Sequence, residues 1–236
     1  MKLFRLVSFD VWDTLLNLEA MVGFIVEGLV EATGRPLRAV EAAFREARRK
    51  AREARLRGTT VNPLAESQAI LAAELGVHVD RVRRGIAIGV MRAIEHVEEL
   101  VYPDARRGLE EASKLAEKVA VLGNVLFWPS SYTRLLLERA RLAPFIDFQL
   151  YADETGVSKP DRLIFHIMCR EAGVEPEQAV HVGDGVSEDV GGALAAGMWA
   201  VLVDRAAGSR AVVRAARLAI IPSLSELGEA LRELRG

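Results

Sequence analysis

From Tyr102 onward the chain alternates short, mostly apolar runs with amphipathic helical stretches, and this alternation most narrows the folds open to it. The runs are Val119–Leu122, Phe148–Tyr151, Ala179–Val182, Ala200–Val203 and Leu218–Ile221. Between them lie helical patterns over Ser131–Arg141, Asp161–Ala172, Asp189–Ala196 and Leu224–Leu234. Strand and helix in turn at this spacing predict a parallel, doubly wound sheet covered by helices. Leu6–Phe9 supplies one more buried strand at the N-terminus. Asp153–Pro160 reads as a loop, and Arg205–Arg214, polar and basic, as a solvated connection.

Residues 16–98 carry no convincing strand. Asn17–Thr33 reads as a helix stopped by Gly34 and Pro36. In Leu37–Arg57 the residues Leu37, Val40, Phe44, Ala47, Ala51 and Ala54 recur at helical spacing and form a buried seam. Gly58–Pro63 is a loop, and Leu64–Leu75 and Val79–Val97 complete an all-helical insert. The expected organisation is an α/β core of residues 1–15 and 99–236, interrupted by a helical domain at 16–98.

A net charge of −2 with interspersed signs carries no footprint for nucleic acid or a membrane surface, which leaves small molecules as the expected partners. No apolar stretch reaches the ~18 residues of a membrane span, and Lys2, Arg5 and Asp10 break up any signal peptide. A cytoplasmic protein is therefore expected, with its oligomeric state left open. The lone Cys169 reads as core. His78, His96, His166 and His181 lack metal-ligand spacing, and His181, within a strand, reads as a satisfied core residue. Trp128 and Trp199 read as packing. The dinucleotide fingerprint fails at Glu188, and no P-loop or G-x-S-x-G occurs.

Polar residues gather just beyond the strand ends: Asp10, Asn124, Lys159 and Asp184, with Glu188 and Asp189 one turn on. Ligands of an open α/β sheet bind at those carboxyl ends. Asp10, with an unperturbed pKa of about 3.9, is ionised and able to act as a nucleophile, although an aspartate here also suits a helix cap. Crowded carboxylates repel by roughly 1–4 kcal/mol per pair at ~4 Å. Lys159 offsets one charge, and a hard divalent ion, Mg²⁺ above all, suits the remainder and expects phosphate oxygens.

The order Phe9-Asp10-x-x-x-Thr14-Leu15, a helical insert, Gly123-Asn124, Lys159-Pro160 and Val182-Gly183-Asp184-x-x-x-Glu188-Asp189 resembles the haloacid dehalogenase superfamily. The resemblance implies a Rossmann-like core, with residues 16–98 as a cap. It implies Asp10 as nucleophile of a Mg²⁺-dependent phosphatase acting through an aspartyl phosphate. The metal ligands would be Asp10, the Trp12 carbonyl and Asp184, with Asp189, helped by Glu188, holding metal waters. Lys159 would bind the nucleophile and the transferring group, and Thr14, Gly123 and Asn124 would cradle its oxygens.

Two residues depart from that pattern. Phosphatases of the family place an acid/base Asp two residues after the nucleophile, where this chain has Trp12, so Asp13 becomes the substitute candidate. Gly123 replaces the usual Ser or Thr. An aromatic at the second position also resembles the metal-independent 2-haloacid dehalogenases, in which Asp10 would attack carbon. Arg45 falls near their carboxylate-gripping arginine, with Arg48 and Arg52 beside it, and Lys50 resembles a Schiff-base lysine of phosphonate-cleaving relatives. A catalytically silent binding or regulatory protein is the third reading.

Overall fold

The computed structural model describes residues 2–57 and 62–236; of the expected loop, residues 58–61 lie outside the described residues. The chain forms two compact units, one of Met1–Leu16, Val101–Asn124 and Arg141–Gly236, the other of Asn17–Leu100 and Val125–Ala140. Among the described residues no helix is long and apolar enough to cross a membrane.

The first unit is built on seven strands, β1 (Phe4–Phe9), β2 (Ala116–Gly123), β3 (Phe148–Tyr151), β4 (Ala179–Gly183), β5 (Trp199–Val203), β6 (Ala211–Val213) and β7 (Leu218–Ile221). Their order is β3-β2-β1-β4-β5-β7-β6, parallel except for the β6–β7 pair. Leu6, Val7 and Phe9 of β1 are wholly buried, as a central strand with both faces covered requires. From β1 the chain winds first toward β3 and later toward β6, so the order reverses between β1 and β4. Such a reversal opens a crevice at the carboxyl ends of the two strands. Phe9 pairs with Val121 on one side and Val182 on the other, which sets Asp10 beside the ends of both neighbours.

Leu6, Leu122, Ile164, Phe165, Met168 and Met198 belong to one apolar cluster on the sheet. Cys169 is part of it, and burial, then Glu175 and Glu177, push its thiol up to about 12, as an inert core cysteine requires.

Three expectations are corrected. Arg205–Arg214 is not only a solvated connection, because Ala211–Val213 forms the antiparallel edge strand. A run of three residues between arginines is too short for periodicity to reveal, yet it occupies the free edge of β7. The loop after β3 begins with a helical turn, Ala152–Thr155, closed by Gly156 at φ 72°. The helix expected from Asp189 starts earlier, as a π-helical turn over Val186–Gly191. Such turns are frequent at functional sites.

In the second unit, α1 (Leu18–Thr33) is capped by Asn17 and ended by Gly34 at φ 68°. It is followed by α2 (Leu37–Leu56), α3 (Pro63–Leu75) and α4 (Val79–Glu95). Glycines let α1 and α4 cross closely: a Cβ on Gly89 would stand 2.6 Å from the Phe24 carbonyl oxygen. The helix Ser130–Arg139 also belongs here. The segment before it is held by Gln68, whose amide donates to the Phe127 carbonyl at 2.9 Å, and by ring contact between Phe44 and Phe127. On α2, Arg45 and Arg52 are exposed and Arg48 half-buried. Lys50 donates to Glu74 at 2.6 Å, and that bond holds its ammonium above the ordinary lysine range, opposite to what a Schiff-base lysine needs.

Candidate active site

Asp10 is the first residue past β1, and its backbone N–H donates to the Val182 carbonyl at 2.8 Å, tying it to β4. The chain then folds on itself. Leu15 and Leu16 both donate to the Val11 carbonyl at 2.8 Å, and Asp13 donates to the Leu16 carbonyl at 2.6 Å. Asp13 sits at φ 60°, a left-handed conformation that Asp tolerates better than most residues. Arg205 locks this loop from outside, donating to the Thr14 carbonyl at 3.0 Å while pairing with Asp104 and lying 3.7 Å over the Tyr102 ring. The Tyr102 hydroxyl reaches Asp13 Oδ1 at 3.4 Å.

Lys159 is the centre of the site. The residue is 1% exposed, and its ammonium donates to Asp10 Oδ1 at 2.6 Å and to Asp189 Oδ1 at 2.7 Å. Burial works against its charge, but the two carboxylates more than compensate and hold it above the ordinary lysine range. Asn124 clamps the same residue's backbone, accepting from the Lys159 N–H at 2.9 Å and donating to its carbonyl at 3.0 Å. The structure therefore engages the Asn124 carboxamide in placing Lys159, a role additional to the contact with substrate oxygens that the resemblance implies.

Asp10, Asp184 and Asp189 each present an oxygen within 4.8 Å of the others. Burial, reinforced by Asp189 and Asp184, raises Asp10 well above the usual carboxylate range despite Lys159. Asp184 is exposed at one side, yet desolvation of its carboxyl, then Asp189 and Asp13, push it up to about 7. Asp189 goes the other way: burial would raise it, but Lys159 and His181 hold it below the usual range. Three carboxylates face one ammonium, so the cluster is short of positive charge. A hard, oxygen-seeking divalent cation fits that donor set.

Among the other candidates, Thr14 is fully buried with its hydroxyl lacking a hydrogen-bond partner. Glu188, half-buried on the π-helical turn, is not one of the three converging carboxylates, because adjacent residues on a helical turn point in different directions. Trp12 is half-buried in the loop. Gly183 and Gly185 wrap the Asp189 carboxylate so closely that a Cβ on Gly185 would lie 2.8 Å from Oδ2. Gly123 is accounted for by its neighbour: a Cβ there would stand 2.5 Å from the Tyr151 ring. Gly123→Ser is expected to cost about 1–3 kcal/mol in urea unfolding. Gly123→Ala is expected to cost nearly as much, since the Cβ meets the ring; a neutral Ala with a costly Ser contradicts this.

Sequence reasoning missed Ser8, Tyr102 and Arg205, and treated His181 as core alone. His181 is indeed buried with both ring nitrogens engaged, but one of them is engaged by Asp189. A signal was present: Ser8 is the polar residue in the otherwise apolar run Leu6–Phe9, two before Asp10 and therefore on the same face.

A family model described as haloacid dehalogenase-like hydrolase matches residues 4–197. The chain is 31% identical over 148 residues to a ribulose-1,5-bisphosphate 5-phosphatase of Halopiger xanaduensis, a match spanning 61% of each chain. It is 30% identical over 245 residues to haloacid dehalogenase-like hydrolase domain-containing protein 3 of Bos taurus, covering 98% of this chain and 95% of that one. Among solved structures, the hydrolase YfnB of Bacillus subtilis bound to magnesium superposes with a TM-score of 0.73 at 20% identity, over 97% and 98% of the two chains. A 2-haloacid dehalogenase of Pseudomonas syringae gives 0.67 at 24% identity, over 98% and 99%.

Proposed function

The chain belongs to the haloacid dehalogenase-like hydrolases, and from that premise we propose that it is a Mg²⁺-dependent phosphatase of a small phosphorylated metabolite. The observation that carries this reading is the convergence of Asp10, Asp184 and Asp189 around a single lysine, an arrangement short of positive charge. Relatives named as phosphatases support it. Asp10, Asp184 and the Trp12 carbonyl would hold Mg²⁺, with Asp189 behind them. When bound, the ion would supply charge neutralisation and polarisation of phosphoryl oxygens.

Asp10 attacks the phosphorus of the monoester, its Oδ–P bond forming as the bond to the leaving oxygen breaks. Lys159 steadies the attacking carboxylate and the charge on the transferring group. Water then attacks the aspartyl phosphate at phosphorus, releasing inorganic phosphate and restoring Asp10. Thr14, with its buried unpaired hydroxyl, is the candidate donor to a phosphoryl oxygen. Trp12 cannot protonate the leaving oxygen, a loss typically worth about 10²–10⁴ in rate. Asp13 is the carboxylate nearest in sequence to take that role.

Incubation with p-nitrophenyl phosphate and with L-2-chloropropionate, each with Mg²⁺ and with EDTA, tests the proposal. Nitrophenol release that EDTA lowers by about 100-fold or more is the expected outcome, matching the several kcal/mol a catalytic metal supplies. Chloride release indifferent to EDTA would instead make the protein a dehalogenase, in keeping with the aromatic Trp12. No release from either substrate would leave a binding protein on this scaffold.

A further inference from the structure

Ser8 on β1 and His181 on β4 are paired in register. Ser8 Oγ lies 2.8 Å from His181 Nδ1, and the other ring nitrogen, Nε2, lies 3.1 Å from Asp189 Oδ1. That oxygen also accepts from Lys159, whose ammonium goes on to Asp10. Asp189 Oδ2 is held separately, by the Gly185 N–H at 2.8 Å. Ser8, His181, Lys159 and Asp189 are each 0–3% exposed. The imidazole is further wedged edge-on against Phe165, with ring centroids 5.2 Å apart.

For a neutral ring, one tautomer satisfies both of its contacts. An ionised carboxylate only accepts, so Nε2 carries the proton and donates to Asp189, and Nδ1 accepts from the Ser8 hydroxyl. The ring can then neither flip nor slide without leaving a buried polar atom unpaired.

We infer that His181, tethered by Ser8, is a positioning residue that fixes the Asp189 carboxylate and through it the Lys159 ammonium on Asp10. It touches neither substrate nor the reacting atoms. The inference rests on the phosphatase reading above for its effect on turnover, and on geometry alone for its hydrogen bonds.

Three variants and one spectrum test it. His181→Leu removes the donor to Asp189, His181→Gln keeps an N–H within reach, and Ser8→Ala cuts the tether together with a long 3.5 Å contact to the Val180 carbonyl. His181→Leu is expected to lower kcat about 10–100-fold with KM within about twofold, and to weaken Mg²⁺ binding, measured by calorimetry without substrate, about 10–100-fold. His181→Gln is expected to recover most of both, and Ser8→Ala to fall between. Wild-type kcat and Mg²⁺ affinity in His181→Leu would overturn the inference, as would equal losses in the Leu and Gln variants. Long-range ¹⁵N–¹H spectra of the wild-type protein at pH 7 are expected to show a proton on Nε2. An Nδ1–H tautomer, which leaves Nε2 without a proton to give Asp189, overturns the inference even where His181→Leu fails to fold. A wild-type protein that neither binds Mg²⁺ nor hydrolyses phosphate defeats the phosphatase reading, and the spectrum still decides where His181 stands.

Discussion

Asp10→Asn is expected to abolish turnover, by at least about 10⁴-fold, because a carboxamide offers neither the anionic oxygen that attacks nor a stable acyl phosphate. The fold survives. Asn matches the shape of the aspartate, and Lys159 keeps its bond to Asp189 at 2.7 Å. The sign of the stability effect follows from the ionisation of Asp10. Its folded-state pKa is raised, chiefly by burial, so the folded protein binds that proton more tightly than the unfolded chain does. Above the unfolded value the native state must ionise a group it prefers neutral, and stability is lost as pH rises. A neutral side chain removes that cost. In EDTA, with no metal to bias the equilibrium, the variant is expected to melt at or above the wild-type temperature at pH 8. The difference is expected to shrink toward pH 4, where the wild-type carboxyl is itself protonated. Full activity in Asp10→Asn removes Asp10 as nucleophile. A folded-state loss that grows with pH would mean that the pair with Lys159 outweighs burial.

The parts of this protein that were legible in its sequence are those where one residue type has one physical use. A buried strand ending in Asp10 and another ending in Gly183-Asp184 announce a sheet with chemistry at its carboxyl edge, and the structure places Asp10, Asp184, Asp189 and Lys159 together there. What escaped was set by neighbours distant in the chain. Gly123 reads as a lost hydroxyl until the Tyr151 ring is seen occupying its Cβ position. Asn124, which the resemblance assigns to substrate oxygens, has a second use that only the fold reveals, with both ends of its amide on the Lys159 backbone. Ala211–Val213 is too short to show a period, and its pairing depends on an edge that only the folded sheet creates. His181 illustrates the same limit: a histidine in a strand is bland until its register partner is Ser8 and its other nitrogen meets Asp189.

Lys159→Met is expected to be the most damaging single change to stability. It strips the shared ammonium from Asp10 and Asp189, residues that are 8% and 3% exposed, and breaking a buried pair from one side costs about 3–5 kcal/mol. The size of the loss must depend on pH, and its direction can be worked out. Asp189 is held below its ordinary range, so its contribution is present above the unfolded pKa and is lost only as pH falls through the lower folded value. Without Lys159 that advantage disappears, and Asp189 joins Asp10 in resisting ionisation. The deficit in urea unfolding, again in EDTA, is therefore expected to be largest near pH 8 and to shrink toward pH 4 as both carboxyls take up protons. Lys159 itself adds no slope across that window, because its pKa is raised and its charge is present throughout. Millimolar Mg²⁺ is expected to restore part of the loss, since a cation bound only to the folded state stabilises it by mass action. Lys159→Arg keeps the charge, but a planar fork does not fit where one nitrogen bridges oxygens at 2.6 and 2.7 Å, so it should recover stability only in part and activity hardly at all. A deficit that stays flat from pH 8 to pH 4 would show that Asp10 and Asp189 do not share this lysine, and the charge balance on which the proposed metal site and chemistry rest would have to be redrawn.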